Sequence, residues 1–186
     1  MVWLRMLPAE PCTYLSSVSS YAFTENDDTL FVHLYIGSDV KKKVNGQEVA
    51  VHIDSAFPWD GKVTVSVDGA NVPLTLALRI PGWANSYTVS ADSSEYTIKD
   101  GYLYITRTWK KGETLTLDFP MEIQVWNADP RVREDIGKAA VTRGPITYCL
   151  EEKDNGTDLH LLTLDWNAPA FVKDSVVAGE PVKELV

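Results

Sequence analysis

Leu74-Thr75-Leu76-Ala77-Leu78-Arg79-Ile80-Pro81-Gly82-Trp83, followed by Gly101-Tyr102-Leu103-Tyr104-Ile105-Thr106-Arg107-Thr108-Trp109, decides the fold. Leu74, Leu76, Leu78 and Ile80 occupy every second position, so an extended segment presents them on one face. Pro81-Gly82 ends that segment by removing a ladder donor and permitting a bend. Asp100-Gly101 is a hairpin signal that joins Tyr96-Thr97-Ile98-Lys99 to Tyr102 through Trp109, where Leu103, Ile105 and Arg107 alternate with Tyr102, Tyr104 and Thr106. Lys111-Gly112 then turns the chain into the alternating run Thr114 to Met121. Antiparallel strands with turn signals about every ten residues describe a β-sandwich. The expected fold is therefore all-β: an antiparallel β-sandwich of jelly-roll or immunoglobulin-like type, with a short N-terminal helix and a second, incomplete β-module.

Upstream, Thr29 to Ile36 reads as a strand with Leu30, Val32, Leu34 and Ile36 on one face, and with His33 beside Phe31 and Tyr35 on the other. Glu48 to Ile53 and Lys62 to Val67 are further strands. Lys41-Lys42-Lys43, just before the turn Val44-Asn45-Gly46-Gln47, reads as a solvated loop edge. Tyr14, Leu15, Val18 and Tyr21 recur at helical spacing among serines, which predicts a short, weak helix. Downstream, Glu122 to Trp126 is expected to close the sandwich, and Asn127-Ala128-Asp129-Pro130-Arg131 reads as a boundary. Ala139 to Glu151 forms two strand pieces broken at Gly144-Pro145, and Asp154-Asn155-Gly156 is a turn. The tail from Leu159 carries strands without an evident closing partner. These readings divide the chain into an irregular N-terminus with its helix (1–27), a β-sandwich domain (28–130) and a truncated second β-module (131–186).

With 186 residues, 45% of them apolar, the chain can fill one large or two small cores. A formal net charge of −9 argues against nucleic-acid and anionic-membrane partners, which require clustered Lys and Arg. The sequence contains no apolar run long enough to span a bilayer and no visible signal peptide, so it reads as a soluble protein whose compartment is left open. Cys12 and Cys149 sit far apart in unlike contexts, which speaks against a disulfide framework. His33, His52 and His160 lack metal-ligand spacing. Glu151-Glu152 and Asp27-Asp28 are neighbours that a strand would point to opposite faces, so neither pair is an acid/base dyad. Trp59, Trp83, Trp109 and Trp126 offer aromatic platforms for apolar sugar faces, and core packing is the simpler account of them. Among them Trp59 and Trp83 are the candidate carbohydrate contacts.

Four ordered motifs carry a resemblance. Asp28-Thr29-Leu30-Phe31-Val32-His33-Leu34-Tyr35-Ile36-Gly37-Ser38, the run Leu78 to Trp83, the run Gly101 to Lys111, and Ala139 to Asp154 with its Arg143-Gly144-Pro145-Ile146-Thr147-Tyr148-Cys149-Leu150-Glu151 centre are similar to the C-terminal part of glycoside hydrolase family 127. The family is β-L-arabinofuranosidase-like and was once a domain of unknown function. The resemblance covers Leu15 to about Asp154. It implies a catalytic (α/α)6 barrel followed by β-sandwich domains, with this chain supplying mostly the latter and the end of the last barrel helix lying within residues 1–27. The implied chemistry is retaining, with a zinc-bound cysteine nucleophile and a glutamate acid/base, the metal keeping the thiolate deprotonated.

The family's Cys-Cys-Pro-Pro-Asn-like segment is replaced here by Met6-Leu7-Pro8-Ala9-Glu10. Read one nucleotide later, codons for Met6 through Leu15 can spell Cys-Cys-Pro-Pro-Asn-Leu-Ala-Arg-Thr, which is the implied zinc-cysteine segment running into Leu15-Ser16-Ser17. Met1 to about Tyr14 is thus expected to be an out-of-frame peptide from a frameshift, and Cys12 no remnant of the nucleophile. No catalytic or metal-binding residue is carried over to this chain, and zinc is expected only in the intact parent enzyme. The expected role is a non-catalytic β-sandwich fragment that supports the absent catalytic barrel, with self-association through exposed apolar surface. The alternative is a free-standing carbohydrate-binding module.

Overall fold

The computed structural model describes residues 17–18, 20–68, 71–163, 165, 168–177 and 179–186. The segment Met1 to about Tyr14 that is expected to be out of frame, with Cys12 in it, lies outside the described residues. Residues 17–18 and 20–22 of the expected helix are helical, and residues 14–16 fall outside the description. The chain divides into two compact units, Met1–Phe57 with Lys62–Phe119, and Pro58–Gly61 with Pro120–Val186.

The first unit holds β1 (Phe23–Glu25), β2 (Thr29–Val32), β3 (Ser38–Val44), β4 (Gln47–Ser55), β5 (Lys62–Asp68), β6 (Val72–Arg79), β7 (Thr88–Val89), β8 (Tyr96–Lys99), β9 (Tyr102–Trp109) and β10 (Glu113–Asp118). Two five-stranded sheets result, in the orders β1-β2-β6-β9-β8 and β3-β4-β5-β10-β7. The expected all-β sandwich is therefore present. Pairing is antiparallel except between β2 and β6, which run parallel with Phe31 opposite Ala77 and Val32 opposite Leu78. The hairpin at Asp100-Gly101 forms with φ of 51° and 77°, the left-handed pair that a tight two-residue turn requires. β10 does not extend the β6–β9–β8 series; it crosses to the other sheet and pairs with β5.

One dry interior joins the two sheets. Leu30, Leu74, Leu76, Leu78, Leu103 and Ile105 from the first sheet meet Val51, Ile53, Val63, Val65, Leu115 and Leu117 from the second. Register explains the match: Leu76 faces Ile105 and Leu78 faces Leu103, while Val65 faces both Ile53 and Leu115. Fully burying one such side chain contributes about 1.5–3 kcal/mol. Trp109 closes one end, its indole N–H donating to the Leu74 carbonyl at 2.8 Å with the Arg107 guanidinium 4.2 Å from its ring centroid.

Two sequence expectations are corrected here. Lys41-Lys42-Lys43 is part of a seven-residue strand, β3, and not a solvated loop edge. Strand alternation sends Lys42 inward among Val40 and Val44, where its ammonium donates to Glu25 at 3.2 Å and to the Asn26 carbonyl, tying β3 to the β1–β2 turn. Lys41 points outward and pairs with Glu48 at 3.2 Å. The second correction concerns Leu34 and Ile36, which were expected on the buried face. β2 ends at Val32, and the amides of His33 and Leu34 both donate to the Ala22 carbonyl, at 2.8 and 3.4 Å. Two residues thus oppose one, as in a β-bulge, and the alternation slips by one position. Tyr35 is buried in place of Leu34, its hydroxyl donating to the Arg79 carbonyl at 2.6 Å, and burial raises its pKa above that of a free phenol.

The second unit contains β11 (Ile123–Asn127), β12 (Ala139–Arg143) and β13 (Ile146–Tyr148) in one antiparallel sheet, and β14 (Val172–Val177) with β15 (Glu180–Leu185) in a hairpin. β11 therefore does not close the sandwich; it pairs with β12 from Ile123 opposite Arg143 to Asn127 opposite Ala139. Gly144-Pro145 breaks the two strand pieces as expected, with Gly144 at φ 56°. The strands of the tail find each other, and Phe171 and Val186 exchange both backbone hydrogen bonds at the hairpin's open end. Asp154 and Asn155 lie in a single helical turn, Glu152–Asn155, rather than in a simple turn.

Candidate functional site

The two tryptophans singled out from the sequence fall in different units. Trp83 follows the Pro81-Gly82 bend, where the Ala84 amide donates to the Pro81 carbonyl at 3.1 Å. Its ring packs on the first unit's core, 6.0 Å from Phe57 and 6.2 Å from Phe119. Trp59 belongs to the second unit, where its carbonyl accepts from Arg143 at 3.2 Å. Its side chain lines a cavity of about 370 Å³ with Asp174, Ser175, Val176, Pro181, Val182 and Lys183 of the β14–β15 hairpin. Lys183 donates to Asp174 across the hairpin, which places paired charge beside the indole.

A second constellation lies on the outer face of the first sheet. Phe31 alternates with the buried Leu30 and Val32, and Tyr102 and Tyr104 alternate with the buried Leu103 and Ile105. All three rings therefore stand opposite the core. Between them on β6 sits Ala77, opposite Phe31 on one side and Tyr104 on the other. Its short side chain lets the two flanking rings meet edge-to-face at 6.1 Å, and Ala77 is itself fully buried. Tyr102 packs edge-on to Phe31 at 6.0 Å, and His33 stacks on Phe31 at 6.1 Å.

His33 is held at both ring nitrogens, Nδ1 2.7 Å from the Tyr102 hydroxyl and Nε2 2.7 Å from the Thr24 hydroxyl. Burial first, and the Arg79 guanidinium second, hold its pKa below the ordinary histidine value. Both His33 nitrogens and the Tyr102 hydroxyl are thus bonded within the patch, which offers ring surface outward. The sequence signal for it was present: the face of β9 opposite Leu103 and Ile105 carries tyrosines where a solvated face would carry charge.

Among the described residues no three His, Cys, Asp or Glu side chains converge to hold a metal ion. His33 is committed to Tyr102 and Thr24, His52 lies 2.6 Å from Asp39 across the β3–β4 pair, and His160 sits in a 3-10 turn, Leu159–Leu161. Cys149 is exposed and unpaired. Among the described residues no helix is long and apolar enough to cross a membrane.

Residues 29–121 match the sequence profile of the beta-L-arabinofuranosidase GH127 middle domain, and residues 123–177 match that of the glycoside hydrolase family 127 C-terminal domain. The chain belongs to glycoside hydrolase family 127. It is 35% identical over 163 residues to a non-reducing end beta-L-arabinofuranosidase of Bifidobacterium longum, covering 82% of this chain and 24% of that protein. A crystal structure of a GH127 beta-L-arabinofuranosidase from Geobacillus stearothermophilus T6 superposes with a TM-score of 0.87 at 37% identity, over 96% of this chain and 29% of that one. A further GH127 beta-arabinofuranosidase structure gives a TM-score of 0.83 at 28% identity, over 92% and 30%. The chain thus spans about a quarter of the length of the curated GH127 relative it matches.

Proposed function

We propose that the two units are the non-catalytic, accessory part of a β-L-arabinofuranosidase-like glycoside hydrolase, and that they brace a separate (α/α)6 catalytic barrel. The observation that carries this reading is the order and extent of the family match: middle domain, then C-terminal domain, over about a quarter of the curated relative. Zinc and the cysteine nucleophile belong, on this reading, to the barrel. The direct test is an assay of this chain with an aryl β-L-arabinofuranoside in the presence of zinc. No turnover is expected; zinc-dependent turnover that survives purification overturns the reading.

The second unit's exposed apolar side chains extend the proposal to self-association, because large apolar patches facing water favour burial against a partner. Light scattering over a dilution series should show a mass that falls with concentration, and a constant monomer mass at high concentration would contradict it.

A second reading, sugar binding, is favoured by the position of Trp59 in a cavity beside Asp174, Ser175 and Lys183. An indole with polar groups at its rim suits a sugar ring. Calorimetric titration with arabino-oligosaccharides tests it: heat that vanishes in Trp59→Ala or Trp83→Ala, with the fold intact, supports binding, and no heat from the unaltered chain removes this reading.

A further inference from the structure

We infer that the outer face of the first sheet, centred on Phe31, His33, Tyr102 and Tyr104, is the seat of the part of the enzyme that precedes the middle domain in the longer relatives. The inference rests on the accessory-part reading and names the surface through which it acts. Three observations converge on this face. Helical residues 20–22 run into β1 without a linker, and Ala22 is buried with its carbonyl bound by His33 and Leu34. The chain therefore enters the unit at the edge of this sheet, and consecutive elements joined by short connections tend to lie adjacent.

The same edge carries the patch, since Thr24 of β1 is bonded to His33. Finally, the aromatic rows are the wrong chemistry for a solvated face and the right one for a covered face. Phe31, Tyr102 and Tyr104 crowd one another at 6.0 to 6.4 Å, and the His33 nitrogens make their hydrogen bonds inside the cluster. A partner that covers these rings need not supply polar groups to either nitrogen. By contrast, the outward row of β4 on the second sheet carries Glu48, His52 and Asp54, all exposed. The occupant expected is a face of the preceding portion that is apolar over the rings and presents oxygen acceptors to Arg79 and Lys99, the exposed cations that stand opposite Tyr102 on β6 and β8.

The test compares this chain alone with a chimera in which it replaces the matching region of the Geobacillus relative. Hydroxyl-radical labelling, read residue by residue by mass spectrometry, should mark Phe31, Tyr102 and Tyr104 in the isolated chain. In the chimera that labelling should be lost, falling to the level of the buried Trp109, while His52 stays labelled. Undiminished labelling of the three rings in the chimera overturns the inference. Protection of the same rings in the isolated chain by an arabino-oligosaccharide also overturns it, in favour of a sugar platform.

Activity of the chimera on the aryl arabinofuranoside with zinc reports separately on the accessory-part reading. An active chimera with exposed rings sinks the assigned face and leaves that reading standing. A folded chimera in which both parts melt independently and no activity is gained sinks the reading itself. As a second variant, Tyr104→Asp should lower the melting of the isolated chain modestly, through loss of its ring pairs with Phe31 and Tyr102, and split the chimera's single transition into two.

Discussion

The two units solve the same problem, antiparallel strands in water, with opposite means. In the first, nineteen buried side chains make one interior between two sheets. In the second, no apolar side chain among the described residues is buried, and Trp126, Ile136, Leu161, Phe171, Val176 and Val186 each expose more than half their surface. Backbone pairing alone does not hold a small sheet, because each hydrogen bond made in the fold replaces one to water. Among its described residues the second unit is therefore ordered chiefly by local register and turns. The first unit owes its stability to burial within itself.

Paired tryptophans break or sharpen this contrast most directly. Trp109 is 1% exposed, donates to a backbone carbonyl and fills the end of the core, whereas Trp126 is 53% exposed and donates to the Thr142 hydroxyl at 2.9 Å. Trp109→Ala should cost about 3–5 kcal/mol, measured as the shift of the first unit's urea transition. Trp126→Ala should cost only about 0.5 kcal/mol, the scale of a surface change. Equal losses would mean that the second unit has an interior of its own and that the contrast is false.

Lysines give the next largest effect. The Lys42 side chain is buried in the first unit, its ammonium reaching Glu25 and the Asn26 carbonyl at the edge of the core. Lys42→Ala removes a charge-assisted donor from the Asn26 carbonyl together with the buried packing of the lysine stem, and should cost about 1.5–3 kcal/mol. Lys183 pairs with Asp174 on the solvated hairpin, where such a bridge is worth about 0–1 kcal/mol, and Lys183→Ala should be near-neutral and insensitive to salt only if the pair contributes nothing. A costlier loss at Lys183 than at Lys42 would reverse the assignment of buried and exposed charge.

A smaller effect probes the order that the second unit does possess. Gly144 turns β12 into β13 at φ 56°, and a Cβ there would lie 3.0 Å from both Cγ and Sδ of Met121. Gly144→Ala should cost about 1–2 kcal/mol from the left-handed backbone alone. Amide exchange should quicken across β11 to β13 and stay unchanged in the first unit. Faster exchange in both would show that the two units unfold together.

How much of this was legible depends on whether the signal was local. The strands around Leu76 and Leu103, the Asp100-Gly101 turn and the break at Gly144-Pro145 are written in neighbouring residues, and the structure has them. β3 was hidden because its inward row includes Lys42, so a buried strand looked like a charge run. The slip at His33-Leu34 was hidden because the bulge is set by the carbonyl of Ala22, the helical residue just before β1. The outer aromatic patch needed the non-local order β2-β6-β9, which puts Phe31 and Tyr104 on either side of Ala77. The tryptophans were visible as residues, but nothing local could tell that Trp83 packs on the first core while Trp59 lines a cavity of the second unit.

The smallest expected effect is a pH dependence that belongs to the first unit alone. His33 has its pKa held below 6.5 in the fold by burial and by Arg79, so the unfolded chain binds a proton that the folded chain resists. Its contribution is complete above pH 6.5 and is lost as pH falls from there toward the depressed folded value. Protonation does not break the two hydrogen bonds, since the Tyr102 and Thr24 hydroxyls can both accept from an imidazolium; the cost lies in burying charge beside a guanidinium. Asp92 and Asp129, lowered below 3.8 by Ser94 and Arg131 respectively, act in the same direction but at more acid pH. Just below pH 6.5 the first unit's melting temperature should fall with pH, and His33→Gln should flatten the slope. An unchanged slope in His33→Gln would place the acid sensitivity elsewhere, and a slope carried by the second unit's transition would remove the distinction between a unit that buries its groups and one that does not.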